Sequence, residues 1–390
     1  MGISGSRTVF IPLLIAAGAL LLAGVWMVGR QPPRSEIAET VPSSATADVR
    51  IVGSESCAVC HETQFHDYQS SGHSKTLRST RDFPFRDRFE QLQFSDSDRG
   101  ETYSYVPNES GLDVVVPGRF GGEPFPLQFA FGSGQHAITF VSLTPDGSGV
   151  PVGIEHRVSW FTGMDRTDLT PGQLGRPIRH DIECFGRIIR GEALERCFGC
   201  HTTAGKIVGD QVVGLIPNVG CENCHIGGAS HAVVMQEDRS TGEDLGFPKR
   251  PWRTADQIEI CADCHRGETA VAESEITRQN PKIARFQPVG LVQSKCYVKS
   301  QGRLTCTACH NPHQHAATQS PEQYEQKCLD CHSGDSQSVM CPVSPDHDCV
   351  SCHMPRVEVH ESISFHDHWI RIRNDNDPPA VREETDAHVE

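Results

Sequence analysis

The sequence Cys-x-x-Cys-His occurs seven times in this chain of 390 residues. This motif is the attachment signature of c-type haem, because two thiols add to the porphyrin and the histidine becomes the fifth ligand of the iron. The repeat therefore predicts seven covalently bound haems and a function in electron movement. The motif residues are Cys57, Cys60 and His61; Cys197, Cys200 and His201; Cys221, Cys224 and His225; Cys261, Cys264 and His265; Cys306, Cys309 and His310; Cys328, Cys331 and His332; and Cys349, Cys352 and His353.

Structural zinc sites and thioredoxin-like redox pairs also contain Cys-x-x-Cys. Neither requires a histidine directly after the second cysteine, and here all seven copies have one. The motifs use fourteen of the 17 cysteines, which leaves Cys184, Cys296 and Cys341. We expect Cys296 and Cys341 to form a disulfide, with two buried free thiols as the alternative. Cys184 is then the odd cysteine, either buried or an unusual iron ligand.

The composition excludes one class of partner and leaves others open. The net charge is −15 at pH 7, and an acidic surface repels nucleic acid phosphates. The charge suits a basic redox partner, although solubility alone would also explain it. Only 37% of the residues are hydrophobic, which is compatible with an interior that porphyrin faces help to fill.

An apolar run from Val9 to Gly29 is long enough to span a bilayer. We interpret residues 1–30 as an uncleaved membrane anchor, with a cleaved signal peptide as the alternative. Haem is attached to such motifs outside the cytoplasm, so the remainder is expected there, and would be secreted if the signal is cleaved. Residues 31–50 are rich in Pro, Ser, Ala and Thr and predict a flexible linker.

The spacing of the motifs divides the rest of the chain into four segments. Residues 51–81 form a first haem-binding segment with a predicted helix from Glu62 to Leu77. A β-rich insert of residues 82–180 follows, and we expect six haems in residues 181–373. Residues 374–390 are predicted to be a disordered acidic tail.

Patterning in the insert predicts strands. Phe125, Leu127, Phe129 and Phe131 alternate along one face, and His136 to Leu143 and Ile154 to Phe161 flank a turn at Pro145-Asp146-Gly147. The predicted fold class is a mostly irregular and α-helical multihaem cytochrome, with short helices wrapped on haems, a small inserted β module and a single N-terminal transmembrane helix.

Thirteen histidines remain as candidates for the sixth ligand of each iron, more than seven haems require. His231 and His313 follow their own motifs too closely to reach the opposite face of their own haem. If either binds iron, it binds a neighbouring haem. His136, after a Gly-Ser-Gly-Gln loop, and His156, on an apolar strand face, are further candidates. The alternative for His156 is a hydrogen-bonded core histidine.

Four local patterns resemble bacterial multihaem cytochromes c of the broad group that includes hydroxylamine oxidoreductase. They are the first motif with Ser71-Gly72-His73, the third with Gly227-Gly228 and His231, the fifth with Asn311-Pro312-His313, and Met354-Pro355 after the seventh with His360 and Asp367-His368-Trp369-Ile370. The resemblance implies that His73, His231, His313, His360 and His368 are distal ligands. It covers about residues 57–73 and 184–373.

The resemblance does not settle activity, because such relatives include both carriers and enzymes. The chain has no Cys-x-x-Cys-Lys, and no tyrosine can be assigned to a haem cross-link. The leading hypothesis is a membrane-tethered electron carrier with mainly bis-histidine haems. Its partners would be other redox proteins, such as a membrane quinol-linked complex or a basic soluble cytochrome. The alternatives are an enzyme with one open haem that acts on a small nitrogen or sulfur compound, and a structural subunit that docks through the β module.

Overall fold

The structure, a computed structural model, describes residues 51–237, 245, 254–333, 340–360 and 363–381. The predicted anchor and linker therefore lie outside the described residues. Within the described ranges, no helix is both long enough and apolar enough to cross a membrane.

The described residues form short helices, two larger β-sheets and two β-hairpins. The helices are α1 Ser54–Ala58, α2 Glu62–Ser70, α3 Gly191–Gly199, α4 Cys221–Cys224, α5 Gly228–Gln236, α6 Thr254–His265, α7 Gln287–Gln293, α8 Lys295–Lys299, α9 Cys306–Cys309, α10 Pro321–His332 and α11 Cys349–His353. The strands are β1 Leu77–Ser79, β2 Gln93–Asp96, β3 Glu101–Asn108, β4 Gly111–Val115, β5 Phe125–Leu127, β6 Phe129–Phe131, β7 Ala137–Pro145, β8 Pro151–Phe161, β9 Arg166–Leu169, β10 Gly186–Ile189, β11 Thr202–Val208, β12 Gln211–Pro217, β13 Arg356–His360 and β14 Ile363–His366.

Strands β1 to β10 form two antiparallel sheets, which we call the β module. One sheet has the order β1-β6-β7-β8-β10 with β9 paired to β8, and the other has the order β2-β3-β4-β5. Buried aromatic side chains fill the space between them, including the fully buried rings of Phe89, Tyr103 and Phe140. The core between the two sheets is thus made by the β module's own side chains, and a second cluster packs Leu77, Phe131 and Val141 against Leu194 and Phe198 of helix α3.

The predicted long strands β7 and β8 are confirmed, and so is the turn between them. Asp146 caps that turn, because its carboxylate accepts from the backbone N–H of Ser148 at 2.9 Å and of Val150 at 3.0 Å. The alternating run of four apolar residues is divided between the two sheets at Gln128. The Gln128 amide oxygen accepts from the backbone N–H of Leu143 at 2.7 Å, and the chain changes sheet there.

Four boundaries differ from the sequence prediction. Helix α2 ends at Ser70 rather than Leu77, because Ser71 is extended and its N–H bonds to the Tyr68 carbonyl. The β module runs from Leu77 to Ile189, a few residues beyond 82–180 at each end. The predicted disordered tail begins too early, because Asp377 is buried in an ion pair and Ala380 pairs with Val357.

The motif-bearing region is built differently from the β module. It consists of the short helices α3 to α11 and the hairpins β11–β12 and β13–β14. Helices α4, α9, α10 and α11 each carry a motif and contain no buried residue. This part of the chain therefore has little side-chain core of its own around its motifs.

Candidate haem centres

The first cysteine of every motif lies in a helix, in α1, α3, α4, α6, α9, α10 and α11 in turn. Helical residues separated by three or four positions lie on the same face, so one turn directs both thiols and the following histidine the same way. The turn is closed by the histidine N–H, which donates to the first cysteine's carbonyl at 2.9 Å for His61, 2.8 Å for His225 and 2.9 Å for His310. The local fold thus presents the attachment residues together.

Four motif histidines each face a second histidine that belongs to no motif. The ring centroids are 6.2 Å apart for His61 and His231, 6.2 Å for His265 and His73, 6.0 Å for His225 and His313, and 6.2 Å for His310 and His368. A metal–nitrogen bond to histidine is about 2 Å, so two rings that share one metal have centroids about 6 Å apart. The two imidazole nitrogens of each facing pair therefore fit an iron bound between the rings.

The facing histidines come from other parts of the chain than the motifs they face. His231 follows the third motif but faces His61 of the first, and His313 follows the fifth but faces His225 of the third. The spacing of these two residues from their own motifs predicts that each reaches a neighbouring centre, and their positions agree with that prediction. The angle between the ring planes ranges from 8° for the His225 pair to 79° for the His265 pair.

Backbone carbonyls orient several of these rings. The Nδ1–H of His73 donates to the Pro312 carbonyl at 3.2 Å, and that of His231 donates to the Leu245 carbonyl at 2.6 Å. A carbonyl can only accept, so Nδ1 carries the proton and Nε2 keeps its lone pair for a metal. The motif histidine His201 has the same arrangement with the Thr76 carbonyl at 2.9 Å.

Burial keeps the imidazoles neutral. Desolvation lowers the pKa of His201, His225, His265 and His310, and lowers the pKa of His368 to about 4. Neutral imidazole is the form that binds a metal. These shifts favour the form with a free lone pair at neutral pH.

Three of the candidate distal ligands, His156, His136 and His360, face no motif histidine within the described residues. His156 is fully buried in the β module, where its Nδ1 bonds to the Phe185 carbonyl at 2.7 Å and its Nε2 to the Tyr105 hydroxyl at 2.9 Å. Neither nitrogen is open to an iron, so its position matches the core-histidine alternative. His136 packs against Phe365 and His360 against Phe161, with ring centroids 4.6 Å and 6.5 Å apart.

The histidine of the second motif has different surroundings from the four paired ones. The ring of Phe131 lies edge-on to His201 at 5.1 Å. Within the ranges that the structure describes, no histidine ring faces His201 or His353 in the way that His231 faces His61.

Neighbouring motif segments contact each other directly. The N–H of Cys221 in the third motif donates to the Ser54 hydroxyl of helix α1 at 3.1 Å. The Cys200 thiol of the second motif contacts the carbonyl of Asp263 in the fourth at 3.7 Å. The candidate centres are therefore assembled from adjoining motif helices rather than distributed separately along the chain.

The prediction of a disulfide between two cysteines outside the motifs is wrong. Cys296 and Cys341 are free thiols and form no disulfide. Cys296 is half-buried in α8, and the Cys341 sulfur instead accepts from the backbone N–H of Ser344 at 3.5 Å. Cys184 is fully buried in the core of the β module, and burial raises the pKa of its thiol to about 11, which agrees with the buried alternative.

One family model matches part of the chain that carries this geometry. Residues 181–226, which carry the second and third motifs, match the family model described as cytochrome c554 and c-prime. No curated protein sequence gave a significant match. Among solved structures, the outer cell wall cytochrome OcwA is similar, with 15% identity over 82% of this chain and 79% of that chain and a TM-score of 0.47. With the repeated motif, the family match supports a multihaem c-type cytochrome that transfers electrons.

Sequence reasoning missed the groups that orient the ligands. The Thr76, Pro312 and Leu245 carbonyls belong to the backbone, and no residue type signals such a role. It also missed a buried ion-pair cluster around Arg371. The sequence signal for that cluster is that Arg371 and Arg373 lie between Asp367 and Asp377 in a short stretch of the chain.

Proposed function

We propose that this protein is an extracytoplasmic multihaem cytochrome that conducts electrons between redox partners through mainly bis-histidine haems. The observation that carries the proposal is the set of four facing histidine pairs with centroid separations of 6.0 to 6.2 Å. Two strong-field imidazoles saturate an iron and leave no position for a substrate. When bound, haem supplies reversible one-electron exchange at its iron.

The chain's own residues would hold each haem in three ways. The paired cysteines of the seven motifs would attach it, and the motif histidines His61, His201, His225, His265, His310, His332 and His353 would each bind an iron. His231, His313, His73 and His368 would supply the second histidine at the first, third, fourth and fifth motifs. The carbonyls that accept from Nδ1–H fix the ring orientation.

His360 and His136 remain candidates for the other centres. The Nδ1 of His360 is buried and has no hydrogen-bond partner within the described residues. A buried polar atom of this kind is costly unless it binds something, and an iron would satisfy it. His136 is half-buried on the loop where the sequence suggested an approach to a haem.

We further propose that the apolar run from Val9 to Gly29 tethers the protein to the membrane with its haems outside the cytoplasm. The net charge of −15 favours a basic soluble cytochrome as one partner, and a membrane quinol-linked complex could be the other. Electrostatic attraction would then speed the encounter at low salt.

The test is a mass and a turnover measurement on the fully matured protein. We expect the intact mass to show seven haem additions, and the reduced protein to be reoxidised by a basic cytochrome faster at low than at high ionic strength. Fewer additions would contradict the haem count. Rapid turnover of nitrite, hydroxylamine or sulfite, abolished by altering a single haem pocket, would replace the carrier with an enzyme.

One observation favours a second candidate, an enzyme with an open haem at the second motif. Phe131, which cannot bind iron, lies against His201, whereas four other motif histidines face a histidine. An open position would accept an external ligand. Addition of cyanide or nitrite should then change one high-spin signal, and no change with any small ligand would remove this candidate.

A further inference from the structure

A buried cluster of two arginines and two aspartates lies near the end of the described chain. Arg371 donates to the Asp367 carboxylate at 2.8 Å and, through two nitrogens, to Asp377 at 2.9 and 2.7 Å. Arg373 donates to the same oxygen of Asp367 at 2.8 Å. The Asp377 side chain is only 2% exposed and that of Arg371 only 5%. The four charges cancel, which is the condition for burying them. We call these four residues the Arg371 cluster.

The Arg371 cluster is joined to two haem-ligand candidates through the backbone. The Nδ1–H of His353, in the seventh motif, donates to the Arg371 carbonyl at 2.9 Å. The Asp367 carboxylate accepts from the Trp369 N–H at 3.0 Å, and the Arg371 guanidinium donates to the Trp369 carbonyl at 2.6 Å. His368, which faces His310, lies between these anchored residues. One cluster thus fixes the backbone on both sides of His368 and the carbonyl that orients His353.

The opposite side of this loop is held by helix α7 and by Ser294, the residue that directly follows the helix. The Ser294 hydroxyl donates to the His368 carbonyl at 3.0 Å and accepts from the Ile370 N–H at 2.8 Å. A Cβ on Gly290 would lie 2.8 Å from the Trp369 backbone nitrogen, so the helix and the loop are in close contact. The loop has little freedom to shift as long as the Arg371 cluster is intact.

We propose that the Arg371 cluster is a positioning device that orients axial ligands of two haem centres together, His368 at the fifth motif and His353 at the seventh. The inference rests on the proposed function, because it requires both histidines to bind iron. Hydrogen bonds to the non-ligating nitrogen set the rotation and basicity of a metal-bound imidazole. A change at Arg371 is therefore transmitted to both irons through the backbone.

The β module provides a matched control. Arg157 is also fully buried, and it also pairs with two aspartates, donating to Asp96 at 2.6 Å and Asp98 at 2.7 Å. The Arg157 side chain makes no hydrogen bond to a haem-ligand candidate within the described residues. Arg371→Gln and Arg157→Gln remove the same group from the same kind of environment. A purely structural role for Arg371 predicts that the two variants behave alike.

The experiment compares the EPR spectra of the matured proteins by spin quantitation. We expect Arg371→Gln to shift or broaden the signals of two haem equivalents, whatever their spin state, and Arg157→Gln to shift none. Arg371→Lys, which keeps the charge but loses the planar contacts to Asp377, should give a smaller change in the same signals. If Arg371→Gln does not mature, Asp377→Asn should affect the same two haems. Unchanged signals in both Arg371→Gln and Asp377→Asn, or equal changes in Arg157→Gln, overturn the inference.

A further variant distinguishes a failure of the positioning role from a failure of the proposed function. His368→Ala should convert one haem equivalent to high-spin. If it does so while the Arg371 variants leave all signals unchanged, the ligand assignment stands and the positioning role is wrong. If His368→Ala itself has no effect, the ligand assignment at the fifth motif is wrong and the positioning role fails with it.

Discussion

Two histidines show how the β module and the motif-bearing region differ. His156 is fully buried and His368 is half-buried, and the Nδ1–H of each donates to a backbone carbonyl, of Phe185 and His366 respectively. The Nε2 of His156 is bonded to the Tyr105 hydroxyl, whereas the rings of His368 and His310 have centroids 6.2 Å apart, which leaves room for one metal ion between them. The same side chain with the same kind of Nδ1 contact is therefore structural in one region and a candidate ligand in the other.

The two regions also differ in what fills their interiors. Aromatic side chains such as Phe89 and Phe140 make the core of the β module, in edge-to-face contact at 5.4 Å. Four motif helices contain no buried residue. Short helices without a buried face are not stable alone in water. We therefore expect these four helices to depend on bound haem for the apolar contacts that the β module obtains from its own side chains.

The largest expected effect follows from this dependence. In protein produced without haem attachment, amides of helices α9, α10 and α11 should exchange as in an unfolded chain, while those of β7 and β8 stay protected. Hydrogen exchange read by mass spectrometry measures both regions in one sample. Equal protection of helices and strands in the haem-free protein would contradict the contrast between the regions.

A cavity in the β module should lower stability without affecting the haems. Phe140 is fully buried and contacts the rings of Phe83 and Phe89, so Phe140→Ala should reduce the free energy of unfolding by about 3–5 kcal/mol. The haem absorption and EPR spectra should be unchanged. An altered spin state in this variant would show that the two regions are not independent.

Local sequence patterns predicted part of the fold and part of the candidate site. Strands β7 and β8 follow the alternation of their apolar and polar residues, and each motif names its own cysteines and histidine as candidate haem-attachment residues. Pairings such as His265 with His73 could not be predicted, because they join residues far apart in sequence and depend on how motif helices pack. The prediction of a Cys296–Cys341 disulfide was wrong because the number of cysteines outside the motifs does not indicate which of them lie close together in the fold.

The buried histidine of the β module should add a smaller, pH-dependent effect. Desolvation lowers the pKa of His156 to about 3 from an unfolded value of 6.5. Between these values the unfolded chain binds more protons, so stability falls as the pH falls below 6.5. From pH 7 to pH 5 this residue should contribute a loss of about 2 kcal/mol. Urea unfolding of wild type and His156→Gln should differ in pH dependence by this amount, and parallel curves would exclude the effect.

We propose that the histidines facing the motif histidines are iron ligands, and spin quantitation by EPR is the sharpest test of this claim. His231→Ala and His313→Ala should each keep all covalent haem but convert one haem equivalent from low-spin to high-spin, at the first and third motifs respectively. His66→Ala is the control, because His66 is a histidine of the first segment whose side chain is 85% exposed. Unchanged low-spin signals in both His231→Ala and His313→Ala would contradict the claim.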